Sequence, residues 1–192
     1  MNENAELFFM IHNLSGHDRL IDQLMIFFTQ DALPLFAAVL LLVWLLGNNK
    51  MKKMVLYAGI TGIAALMINY FITLVYYEPR PFVTYHIRIL IPHAADDSFP
   101  SDHASGTFAI AFALWMRNRK LGSVMIVCAI LTGISRVWVG HHYPLDVAAS
   151  IVVALVAAYG IHKLEHFFNP AFEKLIQLYH EVLAKFTKKV YK

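Results

Sequence analysis

Apolar residues along this chain form five runs that could cross a lipid bilayer as helices. The runs are separated by short polar segments and cover residues 32–46, 54–77, 104–116, 121–139 and 147–161. Several are shorter than the roughly 20 residues that span the hydrocarbon core, so they need flanking turns or a thinned bilayer. The pattern predicts an all-α, polytopic membrane bundle of about five to six spans.

The two ends of the chain carry amphipathic segments. Short apolar patches at residues 7–11 and 24–28 predict interfacial helices; Gly16 would end the first, and the second could extend the first span. The acidic first six residues argue against a cleaved signal peptide. We expect one domain, with interfacial helices at residues 1–30, a helical bundle at 31–166 and a cytoplasmic amphipathic tail at 167–192.

The tail has apolar residues at helical spacing and lysines off that face. The apolar positions are Phe172, Leu175, Ile176, Tyr179, Val182, Leu183, Phe186 and Val190, and the lysines are Lys174, Lys185, Lys188 and Lys189. This spacing is typical of a helix on an anionic membrane surface. A helix packed on the bundle is the alternative.

The composition agrees with a membrane protein. Hydrophobic residues make up 58% of the 192 residues and charged residues 15%, too little polar surface to cover a soluble globule. Membrane lipids are therefore the expected surroundings, and no nucleic-acid partner is expected; the formal net charge of +3 by itself says little. The single cysteine, Cys128, excludes an intramolecular disulfide.

Basic residues divide unevenly between the two ends of the predicted spans. Five alternating spans place on one side Lys50, Lys52, Lys53, Arg117, Arg119, Lys120, Lys163, Lys174, Lys185, Lys188, Lys189 and Lys192. The other side keeps Arg19, Arg80, Arg88 and Arg136. Because loops rich in Lys and Arg stay in the cytoplasm, we expect a plasma-membrane protein with its N-terminus outside and its C-terminus inside.

Polar and ionisable residues cluster at the span ends on the outer side. They are Arg80; Ser101, Asp102 and His103; Ser135 and Arg136; and His141, His142 and Asp146. Ionisable groups at membrane depth are costly, and they mark functional sites by default. Four segments that are distant in sequence are therefore predicted to meet in one site on the outer face.

The residue types in this site favour phosphate binding. Arg80 and Arg136 provide always-charged guanidinium groups that match phosphate oxygens. Ser101 has the position of a helix N-cap, which would aim free backbone N–H groups and the positive helix end at an anion. The arginines would neutralise the phosphate charge, so no metal or cofactor is expected.

The histidines supply the reactive groups. His142 and Asp146 are four residues apart, which on a helical turn brings the carboxylate near the imidazole. One ring nitrogen would then hold a proton while the other attacks phosphorus. His103 is a separate imidazole suited to proton transfer. Together with the arginines, these residues predict a phosphoryl-transfer site.

The motifs resemble the three-part signature of the type-2 phosphatidic acid phosphatase superfamily. The matching residues are Arg80-Pro81, then Pro100-Ser101-Asp102-His103, then Ser135-Arg136 followed after five residues by His142 and after three more by Asp146. More narrowly, Tyr77-Glu78-Pro79-Arg80-Pro81-Phe82 and the Asp102 variant resemble the bacitracin-resistance type of undecaprenyl-diphosphate phosphatase. This resemblance implies a lipid phosphate or diphosphate as substrate.

The resemblance also implies catalytic roles. His142 would become phosphohistidine, Asp146 would orient it, and His103 would protonate the leaving oxygen and then activate water. The residues expected to bind or line the phosphate pocket are Arg80, Ser101, Arg136, Asp102 and His141.

Two positions depart from the family pattern. The lysine that begins the first motif is replaced by Thr73, and we expect its charge to be missing or supplied by a residue such as Arg88. The usual glycine of the second motif is Asp102. A carboxylate beside phosphate is unfavourable unless it is turned away or paired, so we expect Asp102 to cap the third span or to pair with an arginine.

Other interpretations of these residues remain open. His142 and Asp146 could be a polar helix cap, and His93, His103, His141 and His142 could form a zinc site, although their spacing does not favour one. The substrate could instead be a phospholipid, as in a phosphatidylglycerophosphate or phosphatidate phosphatase. A lipid-binding or transport protein without turnover is a rival from another class, and vanadate-dependent oxidation is a weaker one.

Overall fold

The computed structural model describes the backbone of residues 3–190 and the side chains of residues 3–185. Within this part, helices form the regular secondary structure, with one isolated bridge between Pro79 and Asp97. The helices are α1 (Glu3–His12), α2 (Arg19–Gln30), α3 (Ala32–Leu46), α4 (Asn49–Thr73), α5 (Pro81–Tyr85), α6 (Asp102–Trp115), α7 (Arg119–Trp138), α8 (Pro144–Lys163) and α9 (Glu165–Val190). The predicted all-α class is confirmed.

The helices differ in their ability to cross a bilayer. By length and composition, α4, α7 and α8 can each span it, while α2 and α3 qualify only together, as a pair bent by 62°. The predicted third span is α6, whose 14 residues rise only about 21 Å. Among the described residues the structure therefore supports three spans, or four with the bent pair, where five to six were expected.

The short helix α6 lies in the centre of the bundle, packed against α4, α7 and α8. Its small side chains, including Ala104, Ala109 and Ala113, are almost fully buried and let the neighbouring helices approach closely. Large apolar side chains instead remain exposed on the outer helices, such as Val124 at 61% and Val152 at 60%. These outer faces form the surface suited to lipid.

The first two helices pack on the ends of α7 and α8. The His12 ring binds the carbonyl oxygen of Trp138 through Nδ1 at 2.9 Å. The Thr29 hydroxyl donates to the Ser135 hydroxyl at 3.0 Å. Gly16 lies in the turn between the two helices with φ +83°. Residues 3–30 thus brace the end of the bundle that carries the site.

The C-terminal helix begins as a packed helix, as the alternative interpretation proposed. The Phe172 ring lies 4.9 Å from the Tyr57 ring, and Tyr179 lies 5.3 Å from Trp44. Ile176 is buried between them, while other members of the predicted apolar face stay exposed, namely Leu175, Val182 and Leu183. The predicted positions Phe186, Val190, Lys188, Lys189 and Lys192 lie outside the described side chains.

Candidate active site

A cavity of about 360 Å³ lies at the end of the bundle where α4 ends and α6 and α8 begin. The residues that line it come from four distant segments of the chain, as the hydropathy pattern predicts. They are Thr73, Arg80, His93, Asp96, Asp97, Pro100, Asp102, His103, Arg136 and His142. Of the predicted site residues, Arg80, Asp102, His103, Arg136 and His142 face this cavity.

The turn after α7 brings His142 back over the helix it has just left. Gly140 adopts φ +93°, and a Cβ there would come within 2.9 Å of Ile89, so this turn favours glycine. The next two backbone N–H groups, of His141 and His142, both donate to the carbonyl of Arg136, at 3.0 and 3.2 Å. This turn explains why five residues separate the arginine from the histidine in the motif.

The hydrogen bonds of His142 fix the tautomer of its ring. Nε2 lies 2.9 Å from Nη1 of Arg80 and 3.3 Å from Nη2 of Arg136. Guanidinium groups only donate, so Nε2 must accept and Nδ1 must carry the proton. Nδ1–H accordingly donates to the carbonyl oxygen of Ser98 at 2.7 Å. The lone pair of Nε2 therefore points between the two cations that would hold a phosphate.

Asp146 is less directly coupled to His142 than the four-residue spacing predicts. Its Oδ2 is 3.4 Å from Nδ1 of His142, longer than its bonds from the Ser98 hydroxyl at 2.5 Å and from the Tyr143 N–H at 2.8 Å. The carboxylate therefore orients the imidazole largely by holding Ser98. Sequence reasoning missed Ser98; its signal was a serine three residues before Ser101 in the same motif segment.

Each of the two arginines also forms a hydrogen bond with a residue other than His142. Arg80 donates from Nε to Oδ1 of Asp96 at 2.7 Å and from Nη1 to the His141 carbonyl at 3.1 Å. Arg136 is 2% exposed, and its Nη2 lies 3.1 Å from Nε2 of His93. Its Nε is buried and has no hydrogen-bond partner among the described residues. Asp96 and His93 were not among the predicted site residues.

The first turn of α6 provides His103. Ser101 is the N-cap, as predicted, and its hydroxyl accepts from the Ala104 N–H at 3.5 Å. Ser101 is fully buried and its carbonyl accepts from the Ser150 hydroxyl at 3.0 Å. The serine therefore fixes where the helix begins. Its hydroxyl is used as the cap and does not line the cavity, so this geometry does not support the expected contact with phosphate. The His103 ring, in contrast, lines the cavity.

Asp102 has a different partner from those expected. Its Oδ1 accepts from the Asn69 side chain at 2.7 Å, and the Ser105 hydroxyl holds the Asn69 amide from the other side at 3.1 Å. The prediction of a helix cap or an arginine partner was wrong, because α4 brings an amide to this carboxylate. An ionised carboxylate only accepts hydrogen bonds, so Asp102 is a wall residue and not a phosphate ligand.

His141 and Arg88 also lie outside the positions expected for phosphate binding. His141 is buried, its Nε2 donates to the Ile91 carbonyl at 2.8 Å, and its ring packs 4.5 Å from His93. Arg88 lines a separate cavity with His12 and His17. Thr73 does line the active-site cavity, but Arg88 does not supply the missing charge there.

The alternative zinc site is not formed by the four histidines proposed for it. Nε2 of His141 is committed to a backbone carbonyl, and Nε2 of His142 faces two arginines. Over the described part of the chain, the His, Cys, Asp and Glu side chains form no group of three that could hold a metal ion.

The pKa shifts of three loop residues, His142, His93 and Asp96, suit nucleophilic attack by His142. Burial lowers the pKa of His142 well below its usual value, and the charges of Arg136 and Arg80 lower it further. Burial is also the main cause of the lowered pKa of His93. Burial alone would raise the pKa of Asp96, but the hydrogen bond and charge of Arg80 outweigh it and lower the pKa. The nucleophile candidate is thus neutral, beside a paired arginine.

Comparisons with known proteins agree with this geometry. The chain is 50% identical to the undecaprenyl-diphosphatase BcrC of Bacillus subtilis over 97% of this chain and 96% of that protein. It is 33% identical to the bacitracin transport permease protein BcrC of Bacillus licheniformis, over 81% of this chain and 77% of that protein.

Two solved structures share the fold. LpxE of Aquifex aeolicus superposes with a TM-score of 0.64 at 24% identity, covering 85% of this chain and 96% of that one. A PAP2-type phosphatidylglycerolphosphate phosphatase of Bacillus subtilis gives 0.59 at 19% identity, covering 86% and 88%. A model of the PAP2 superfamily matches residues 53–170. The chain therefore belongs to the PAP2 superfamily, as its three motifs predict.

Proposed function

We propose that this chain removes the terminal phosphate of undecaprenyl diphosphate at the outer face of the plasma membrane. The product is undecaprenyl phosphate, so the reaction recycles a carrier lipid and gives bacitracin resistance. The name of the Bacillus subtilis relative, half identical over nearly the full chain, supports this substrate. The observation that carries the proposal is the Nε2 lone pair of His142, aimed between Arg80 and Arg136.

The reaction has two steps, phosphoryl transfer to His142 and hydrolysis of the phosphohistidine. Nε2 of His142 forms a bond to the terminal phosphorus while the bond to the bridging oxygen breaks, and His103 gives that oxygen a proton. Water then attacks the phosphohistidine, His103 takes its proton, and inorganic phosphate leaves as the N–P bond breaks. Arg80 and Arg136 replace their contacts with Nε2 by contacts with the phosphate oxygens and stabilise the transition-state charge.

The proposed orientation rests on the basic residues of the opposite end. There, Lys53 pairs with Glu173 and Arg117 with Glu165, which brings the basic turns before α4 and α7 beside the start of α9. A cytoplasmic position for this end follows the distribution of Lys and Arg, and it places the active site outside and the C-terminus inside. The substrate then enters from the outer leaflet.

Phosphate release by the purified protein tests the proposal. His142→Ala should abolish release from undecaprenyl diphosphate, and the wild type should form an acid-labile, base-stable phosphoenzyme on His142. His17→Ala is the matched control, because His17 is exposed and, among the described residues, its ring bonds the nearby Ser15 carbonyl. Full turnover by His142→Ala would refute the mechanism.

The rival functions have separate tests. A phosphatidylglycerophosphate or phosphatidate phosphatase would turn over its phospholipid faster than the prenyl diphosphate. A transport protein, as the name of the Bacillus licheniformis relative states, would bind lipid without releasing phosphate. A binding site needs cations but no nucleophile, whereas the fixed tautomer of His142 leaves the Nε2 lone pair available for attack, so we favour catalysis.

A further inference from the structure

A second cavity, of about 440 Å³, lies at the end of the bundle opposite the active site. Lys53 in the second turn of α4 lines this cavity, and Thr73 at the last residue of α4 lines the active-site cavity. The helix between them rises about 30 Å, the thickness of the hydrocarbon core. The two cavities therefore lie at the levels of opposite headgroup layers.

The wall of this cavity is held in a defined arrangement. The Arg117 guanidinium stacks over the Tyr57 ring with its Cζ 4.1 Å from the ring centroid, and it pairs with Glu165. The Tyr57 hydroxyl donates to Oδ1 of Asn169 at 2.7 Å and so ties α4 to α9. The Arg117 side chain is only 17% exposed, so a cation is fixed inside the cavity.

The wall carries an excess positive charge. Lys50, Lys53 and Arg117 line it; Arg117 pairs with Glu165 and Lys53 pairs with Glu173, so the excess comes from Lys50. Lys50 is exposed and forms no ion pair within residues 3–185. Its neighbour Lys52 differs, since it is buried and donates to the Gly47 carbonyl at 2.5 Å. Lys50 therefore leaves a positive charge available to a ligand.

The cavity also has an apolar side, formed by Met51 and Met54. A free ion gains nothing from such a surface, whereas the glycerol and upper acyl carbons of a lipid do. We propose that this cavity binds the phosphate group of an anionic ligand, and its depth and methionines favour the headgroup of an anionic phospholipid. In the proposed orientation that lipid belongs to the cytoplasmic leaflet, so the inference uses the orientation but not the catalytic activity.

The test is lipid binding by the full-length protein in neutral detergent. Phosphatidylglycerol is titrated in and bound lipid is counted by native mass spectrometry, with phosphatidylcholine as the neutral headgroup. The double variant Lys50→Gln/Lys53→Gln should weaken phosphatidylglycerol binding by about fivefold or more, the effect of the unpaired Lys50, with a smaller addition from Lys53, which pairs with Glu173. The matched control is Lys174→Gln/Lys185→Gln, which removes two exposed lysines of α9 outside the cavity and should change binding by less than about twofold.

Further variants and ligands in the same assay identify the ligand and distinguish this site from the active site. The single variant Lys50→Glu changes an exposed side chain, keeps the fold, and should weaken binding as well. His142→Ala should bind phosphatidylglycerol like wild type, whether or not the enzyme is active. If inorganic phosphate binds without lipid, and the double variant Lys50→Gln/Lys53→Gln weakens that binding equally, free phosphate is the ligand. Equal losses in both double variants, or no loss in either, would overturn the proposal.

Discussion

Removing the Ser98 hydroxyl tests how the nucleophile is held. In Ser98→Ala the backbone carbonyl still accepts from Nδ1 of His142 at 2.7 Å, so the tautomer is retained. The bond of 2.5 Å to Oδ2 of Asp146 is lost. The carboxylate keeps only the Tyr143 N–H and its long approach to the imidazole. We expect the ring to be correctly protonated but loosely oriented.

The size of the effect follows from the type of bond that is lost. A hydrogen bond to a charged group contributes about 1.5–3 kcal/mol. If that energy is used to orient the ring in the transition state, kcat falls about ten- to hundredfold, since about 1.4 kcal/mol corresponds to tenfold. KM should change little, because Arg80 and Arg136 hold the phosphate and Ser98 does not face the cavity.

The assay is steady-state phosphate release from undecaprenyl diphosphate, with thermal unfolding measured on the same samples. Thr132→Val is the matched control: it removes another fully buried hydroxyl, which donates to the Cys128 carbonyl and does not line the active-site cavity. The control should keep kcat within about twofold despite a comparable loss of stability. Wild-type kcat in Ser98→Ala, or a rise in KM without a fall in kcat, would refute the positioning role.

Three further predictions concern the chemistry. His103→Ala should damage cleavage of a lipid diphosphate less than cleavage of a lipid monophosphate, because a phosphate leaving group is more acidic than an alcohol and needs less protonation; equal losses on both substrates, measured as kcat, would contradict this. Phosphoenzyme formation, measured by rapid quench, should not decline near pH 6.5 as it would for an ordinary histidine, because burial and the two arginines lower the pKa of His142. Protonation would block the lone pair only at lower pH. A decline with its midpoint at about pH 6.5 would contradict this prediction. Turnover should persist in excess chelator, since arginines neutralise the phosphate; loss of activity that added metal restores would favour a metal-dependent mechanism.

The contacts around the site explain why residues far from the motifs matter. The loop between α4 and α6 is closed at its base, where the Ser98 N–H donates to the Glu78 carbonyl at 2.8 Å. That closure brings Arg80 to Nε2 of His142 and the Ser98 carbonyl to Nδ1 of the same ring. Asp96, from the same loop, then fixes the Arg80 guanidinium. The loop is thus part of the active site.

The sequence by itself determined the class of fold and the meeting of the motifs. Apolar runs require helices in lipid, since every backbone group must be satisfied within its segment. Fixed alternation of spans then places Arg80, His103, Arg136 and His142 at one level, and the cavity contains all four. The N-cap at Ser101 was predictable for the same reason, because capping depends on neighbours in the chain.

Tertiary structure alone decided the partners of these residues. The Asn69 amide reaches Asp102 from another helix, and the Ser98 hydroxyl reaches Asp146 from a loop 48 residues away in sequence. The short run at 104–116 already favoured a buried helix, but the packing was needed to show that α4, α7 and α8 enclose α6. Local sequence fixes helices and caps over a few residues, but hydrogen bonds between distant segments depend on how the helices pack in three dimensions.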